Sequence, residues 1–80
     1  MKIPRNISGE KLSKLLRRFG FEITRQTGSH MRLTTTVKGE FHITITNHKN
    51  LKIGTINNIL TDIADYFEIE KKDLTKKLFR

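Results

Sequence analysis

The eighty-residue sequence has no cysteine, no long apolar run and half as many acidic as basic residues. Without cysteine, the protein cannot contain disulfides, zinc sites with thiolate ligands or cysteine nucleophiles. No apolar run approaches the roughly 18 residues that a transmembrane helix requires, and the first residues lack the apolar segment of a signal peptide. We therefore expect a cytoplasmic protein. Contact with an anionic membrane surface is not expected either, because the basic residues do not lie on one long amphipathic helix.

The excess of positive charge lies in the first part of the chain. Residues 1–52 contain eleven lysines and arginines but three acids, whereas residues 53–80 contain five basic and five acidic residues. A one-sided positive field suits a polyanion, and nucleic acid is the commonest polyanion in a cytoplasm. A basic surface that merely improves solubility explains the charge equally well at this point.

Apolar residues recur at helical spacing in two segments. The first lies between Ser8, which can cap a helix N-terminus, and Gly20, which can close a helix C-terminus. The polar face of this helix carries four cations, Lys11, Lys14, Arg17 and Arg18. A second helix is predicted from its cap at Thr55 to Phe67, and a short tail helix from about Glu70.

Three segments between the two main helices alternate between apolar and polar residues, as half-buried strands do. They cover residues 21–27, 30–37 and 41–48, and tight connections join them. The alternation predicts that Ile23 and Val37 point inward with the other apolar residues.

The order of elements predicts one α+β domain over residues 1–80. Both main helices should lie on one face of a three-stranded antiparallel sheet, because they cannot bury their stripes on each other and also cover the strands. The other face of the sheet, here called the open face, is then exposed to solvent. We expect it to display the outward side chains His30, Arg32, His42 and Thr44.

Three short motifs carry a resemblance to a known family. A lysine-rich helix ends in Gly-Phe at residues 20–21, Gly-Ser-His follows at 28–30, and Gly-Thr at 54–55 opens the last main helix. With these motifs in this order, the chain resembles the HicA toxins, the RNA-cleaving partners of HicB antitoxins in toxin–antitoxin pairs. The resemblance implies a fold like the double-stranded-RNA-binding domain, α-β-β-β-α, and cleavage of mRNA by a histidine without a metal or other cofactor.

The resemblance also implies roles for individual residues. The histidine of the family's Gly-Ser-His motif falls on His30, which is the expected catalytic residue, and the histidine after the third strand falls on His48. The implied partners are mRNA and a HicB-like antitoxin. The chain departs from the family at Thr46, where proline is common, and His42 is not part of the pattern, so no role is transferred to it.

The chemistry of His30 is consistent with RNA cleavage. A neutral imidazole can take the proton from a ribose 2′-hydroxyl, and an imidazolium can protonate the leaving 5′-oxygen. Arg25 and Arg32 would stabilise the negative charge that accumulates on the phosphoryl oxygens. Ser29 and His48 are further candidates for contacts with RNA, and the cations of the first helix could follow the RNA backbone.

Simpler explanations stay open for the same residues. His30 could merely bond the turn, His48 could be an ordinary loop residue, and the basic helix face could be solvated without binding anything. The three histidines His30, His42 and His48 could together bind zinc, although they lack the short ligand spacing of known motifs. The alternative functions are a non-catalytic RNA- or DNA-binding module of the same fold and an adaptor for an acidic protein.

Overall fold

A computed structural model describes residues 3–79 of the chain. Along the sequence its elements are α1 (Gly9–Arg17), β1 (Glu22–Thr27), β2 (His30–Thr35), β3 (Phe41–Thr46), α2 (Ile53–Phe67) and α3 (Lys71–Leu78). This order confirms the predicted α+β fold with three strands, two main helices and a short helical tail.

The three strands form one antiparallel sheet in the order β1-β2-β3. Helices α1 and α2 bury their apolar stripes against one face of this sheet, and α3 packs beside α2. The centre of the core consists of fully buried side chains from every layer, including Leu12, Leu16, Phe21, Leu33, Ile45, Ile56, Leu60, Ile63 and Leu74. Within residues 3–79, no helix covers the opposite face, so the predicted open face exists.

The ends of α1 and the start of α3 agree with the sequence. The Ser8 hydroxyl accepts a hydrogen bond from the N–H of Lys11 at 2.9 Å, which satisfies a free donor of the first turn. Gly20 follows the helix with φ of 88°. Helix α3 begins directly after Glu70, as predicted.

Helix α2 begins earlier than the sequence indicates. Its N-cap is Lys52, without a side-chain hydrogen bond, so the prediction of Thr55 as the cap is wrong. Buried Leu51 donates its N–H to the carbonyl of Ile7 at 2.7 Å. This hydrogen bond fixes the position of the backbone immediately before Lys52. Helix α2 therefore begins directly after Lys52, at Ile53.

Two apolar residues predicted to point inward are exposed, Ile23 by 45% and Val37 by 61%. Strand β1 is an edge strand in which every residue is exposed, so Ile23 lies at the margin of the helical layer. Strand β2 ends at Thr35, which is itself buried, and Val37 therefore falls in the turn beyond it. Strand β3 ends at Thr46, two residues earlier than predicted.

Within residues 3–79, none of the helices combines the length and the apolar character that crossing a membrane requires.

Candidate functional site

His30 begins β2 directly after the two-residue turn formed by Gly28 and Ser29. Gly28 has φ of 58°, a left-handed conformation that glycine adopts without steric cost, and this permits so tight a turn. His30 is exposed and is aligned with Thr27 of β1 and Thr46 of β3. The side-chain hydrogen bonds made by histidine within residues 3–79 all involve His42, so the ring of His30 makes none in this range.

Two arginines accompany His30 on the open face. Arg32 follows His30 by two residues, so both side chains project from the same side of β2. Arg25 is aligned with Arg32 from β1, and Thr44 is aligned with it from β3. Both arginines are exposed, and neither takes part in an ion pair with another residue of the described range. Their guanidinium groups are therefore available to an anionic ligand.

A β-bulge places Arg25 on the open face. Ile23 is aligned with Leu33 on the core side, but Arg25 is aligned with Arg32, which leaves Thr24 as an extra residue in β1. Strict alternation from Ile23 would have turned Arg25 toward the core side, and the extra residue reverses its direction. The proximity of Arg25 to His30 thus depends on the bulge, which the alternation pattern did not reveal.

The loop after β3 lies against the hairpin turn that presents His30. The N–H of Asn47 donates to the carbonyl of Ser29 at 2.6 Å, and the N–H of Gly9 donates to the carbonyl of His48 at 2.9 Å. These bonds hold the backbone of His48 at the same end of the sheet as His30. Ser29 and His48 are both exposed, and the backbones of both lie at the hairpin end of the sheet, where β2 begins with His30.

The four cations of α1 occupy a different surface. Helix α1 lies in the layer that covers the opposite face of the sheet, and its buried side faces the core. Lys14 also forms an ion pair with Glu10 at 3.3 Å, although both side chains remain largely exposed. The structure therefore separates the basic face of α1, Lys11, Lys14, Arg17 and Arg18, from the arginines on the open face.

The family model described as the HicA toxin of bacterial toxin–antitoxin systems matches residues 9–64. This range exceeds half of the chain and contains α1, all three strands and most of α2. The chain belongs to the HicA toxin family. Comparisons with curated proteins and with solved structures found no match.

Membership of the HicA family has direct consequences for function. The protein is the toxin of a toxin–antitoxin pair and, broadly, a ribonuclease, with RNA as its substrate and an antitoxin as its partner. The matched range contains every residue that the sequence nominates for the site, from Lys11 to His48. Helix α3 lies outside this range.

Sequence reasoning assigned no role to His42, but in this HicA toxin it belongs to a row of hydrogen-bonded side chains on the open face. Its Nε2 lies 2.6 Å from Oε2 of Glu40, and its Nδ1 lies 2.7 Å from the hydroxyl of Thr34. The Thr34 hydroxyl lies 2.8 Å from that of Thr24, the extra residue of the bulge. The spacing of Glu40 and His42 by two residues was the one signal in the sequence, since Glu40 directly precedes β3 and residues two apart in an extended chain point to the same side.

The three histidines of the HicA toxin do not come together. Within residues 3–79, no group of three or more histidine, aspartate or glutamate residues could hold a metal ion. The histidine positions also differ along the sheet, since His30 is aligned with Thr46 whereas His42 is aligned with Thr34. The zinc hypothesis therefore has no geometric support.

An open depression of about 360 Å³ lies between α1 and the start of β1, where Arg17, Glu22 and Ile23 line it. This position is at the opposite end of β1 from the hairpin that carries His30. The depression does not belong to the site around His30.

The turn between β2 and β3 is attached to the end of α2. The hydroxyl of Tyr66 donates to the carbonyl of Gly39 at 2.6 Å and accepts from the N–H of Lys38 at 2.5 Å. The ammonium of Lys38 donates to Glu68 at 2.6 Å. This hydrogen bond, together with the charge of Lys38, lowers the pKa of Glu68 below its usual 4.5. The attachment fixes the turn from which Glu40 and His42 follow.

Proposed function

We propose that this HicA toxin is a metal-independent endoribonuclease that cleaves mRNA in the cytoplasm, with His30 as its proton-transfer residue. The observation that carries the proposal is the exposed ring of His30, which makes no hydrogen bond within residues 3–79 and stands beside Arg25 and Arg32 on the open face. A ring held by its neighbours would be poorly suited to proton transfer, whereas this one is accessible to a substrate.

The proposed reaction uses the 2′-hydroxyl of the RNA as its nucleophile. Neutral His30 takes the proton of this hydroxyl, and the 2′-oxygen attacks the adjacent phosphorus. The bond from phosphorus to the 5′-oxygen breaks, and the leaving oxygen receives a proton from an imidazolium, either His30 itself or His48. The products are a 2′,3′-cyclic phosphate and a 5′-hydroxyl, and every proton transfer is made by an imidazole.

Arg25 and Arg32 are positioned to stabilise the reacting phosphate. Cross-strand neighbours lie about 5 Å apart at Cα, and residues two apart on one strand lie about 7 Å apart. A phosphate held at His30 is therefore within reach of both long guanidinium side chains. Charge-assisted hydrogen bonds from arginine to phosphoryl oxygens strengthen as negative charge accumulates in the transition state.

A HicB-like antitoxin would inhibit the enzyme by covering the open face around His30. The exposed arginines on that face favour a partner with acidic side chains at the contact.

The decisive experiment compares wild type with His30→Ala on purified RNA. We expect cleavage to fall by about 10²- to 10⁴-fold, the usual contribution of a placed proton-transfer group. The wild-type products should carry 2′,3′-cyclic phosphate ends. Asn58→Ala, an exposed change on α2, is the matched control and should retain full activity. If His30→Ala cuts RNA as fast as this control, His30 is not catalytic.

The separate basic face of α1 favours one alternative, a non-catalytic RNA-binding module that uses these cations alone. Expression in growing cells distinguishes the two functions. The ribonuclease proposal requires that wild type arrests growth and that His30→Ala, at equal protein level, does not. Equal arrest by both would favour the binding module.

A further inference from the structure

His42 differs from His30 in how its ring is held. A carboxylate can only accept, so Nε2–H of His42 donates to Glu40 across 2.6 Å. In the neutral ring Nδ1 then accepts from the Thr34 hydroxyl at 2.7 Å, and the Thr24 hydroxyl at 2.8 Å can donate to Thr34. With both nitrogens engaged, the ring is fixed in orientation and has no free atom for proton transfer.

The flat face of the His42 ring remains available for contact with a ligand. The side chain retains 33% of its exposed surface, and it stands on the side of the sheet that no helix of the described range covers. Unpaired RNA bases stack on aromatic side chains, histidine included. A ring held at both edges has little conformational entropy left to lose when a base stacks on it.

The position of His42 places it on the path of an RNA strand that reaches His30. His42 is aligned with Thr34, and Thr34 lies four residues beyond His30 on β2. Four residues of a strand span about 14 Å, with both side chains on the open face. The two imidazoles are therefore too far apart to act on one phosphodiester, but a single strand laid along the sheet contacts both.

Charge divides the open face into two halves. The hairpin half carries Arg25 and Arg32, whereas the half around His42 carries the carboxylate of Glu40. Carboxylates repel phosphates, so this second half is unsuited to the RNA backbone. Carboxylates accept hydrogen bonds from the amino groups of bases, and Glu40 uses Oε2 for His42 while its side chain remains 71% exposed.

We propose that His42 and Glu40 form a base-binding subsite that determines where the toxin cuts RNA. The base stacks on His42, and an exocyclic amino group donates to the carboxylate of Glu40. Adenine, cytosine and guanine carry such a group and uracil does not, so the subsite selects against uracil at a fixed distance from the cleaved bond. This inference rests on the proposed ribonuclease function, since it adds sequence selection to the same open face.

Chimeric oligonucleotides with one cleavable linkage provide the test. All other riboses carry 2′-O-methyl groups, which fixes the register, and a single uracil replaces adenine at successive positions. With wild type we expect one position, away from the bases that flank the cut, at which uracil lowers the cleavage rate about 3- to 10-fold. His42→Ala should lower the rate on the adenine substrate about 5- to 100-fold, the usual loss for one stacked base.

Glu40→Gln is the sharper variant, because it keeps the shape of the side chain. The amide oxygen can still accept from His42, but the NH₂ group now faces the base and donates to the carbonyl oxygens of uracil. The preference at that position should therefore disappear or reverse. The control Asn58→Ala should leave it unchanged, and thermal melting should confirm that each variant is folded.

The outcomes separate this inference from the ribonuclease proposal. If wild type cuts the oligonucleotides and Glu40→Gln shows the same base preference, the subsite is refuted while the ribonuclease function stands. If wild type cuts none of the oligonucleotides, its binding affinities for fully 2′-O-methylated oligoadenylate and oligouridylate are measured instead of cleavage rates. A preference for oligoadenylate that Glu40→Gln removes would then support the subsite and refute the ribonuclease function. Equal binding of both strands by wild type would refute the subsite.

Discussion

The substitution Gly9→Ala tests how closely α1 packs against the end of β3, because it adds a single methyl group at their contact. Gly9 is the first residue of α1, and its N–H donates to the carbonyl of His48 at 2.9 Å. A Cβ atom added to Gly9 would overlap the carbonyl oxygen of Thr46 and press on Cα of Asn47. Both obstacles are backbone atoms, so the helix or the strand end must move as a whole.

The expected cost of Gly9→Ala follows from this geometry. Overpacking of a tight contact costs about 1–3 kcal/mol, whereas the better helix propensity of alanine returns at most about 1 kcal/mol. Because the obstacles at Gly9 are backbone atoms, the upper part of the cost range applies, about 2–3 kcal/mol, and a net loss of about 1–2 kcal/mol remains. This loss corresponds to a fall in Tm of about 4–16 °C for a domain of this size. Because the displaced segment includes His48, RNA cleavage should fall as well, even at temperatures where the variant is fully folded.

Gly54→Ala is the matched control for Gly9→Ala. Gly54 also lies in the first turn of a helix, but no atom outside its immediate neighbourhood lies within 4 Å of an added Cβ. This substitution should leave Tm unchanged or raise it. Alanine reduces the conformational entropy of the unfolded chain, which stabilises the folded protein by about 0.4–1 kcal/mol. Thermal unfolding followed by circular dichroism measures both variants. If Gly9→Ala melts at the temperature of Gly54→Ala, the contact with Thr46 does not constrain α1.

Three further predictions concern charge. Arg32→Gln should lower the cleavage rate about 10- to 100-fold with little change in Tm, because it removes an exposed cation that we propose stabilises the reacting phosphate. Lys14→Gln combined with Arg17→Gln should reduce the log–log salt dependence of RNA binding by roughly 0.7 for each phosphate of a single strand that these cations no longer neutralise. Glu68→Gln should lower Tm at pH 7, and the difference from wild type should shrink as the pH falls below 4.5. The lowered pKa of Glu68 means that its bond with Lys38 stabilises the fold above the usual carboxyl pKa and is lost as pH falls through the folded value.

A charge-matched control applies to the two RNA predictions. Lys76→Gln and Lys77→Gln remove exposed cations from α3, which lies outside the range shared with the HicA family. An equal loss of cleavage or of salt dependence in these variants would mean that net charge, rather than the position of the cations, governs RNA binding. For Glu68, a Tm difference from wild type that stays constant from pH 7 to pH 2 would contradict the assigned ion pair.

Several parts of the site followed from local sequence rules. Gly28 and Ser29 between two alternating segments predicted the hairpin, and the hairpin places His30 at the start of a strand. Arg32 follows on the same face because residues two apart on a strand always do. Helix α1 was equally predictable, since its cap, apolar stripe and closing glycine are all contained in one short segment.

Other features depended on contacts that no local rule describes. The start of α2 is set by the hydrogen bond between Leu51 and Ile7, far apart in the chain, and not by the favourable capping residue Thr55. Ile23 is exposed because β1 is the edge of the sheet, although its apolar character suits a buried position. In both cases the position of a distant element prevailed over a local preference.

The sequence by itself determined the element order, the open face and the presentation of His30, because periodicity and turn chemistry act over a few residues. The tertiary structure alone decided that Arg25 joins that face, since the bulge at Thr24 arises from the pairing of two strands. It also decided that His42 is held between Glu40 and Thr34, because the register of β2 against β3 brings these side chains together. Strand register depends on how the whole sheet packs, and no short segment of the chain encodes it.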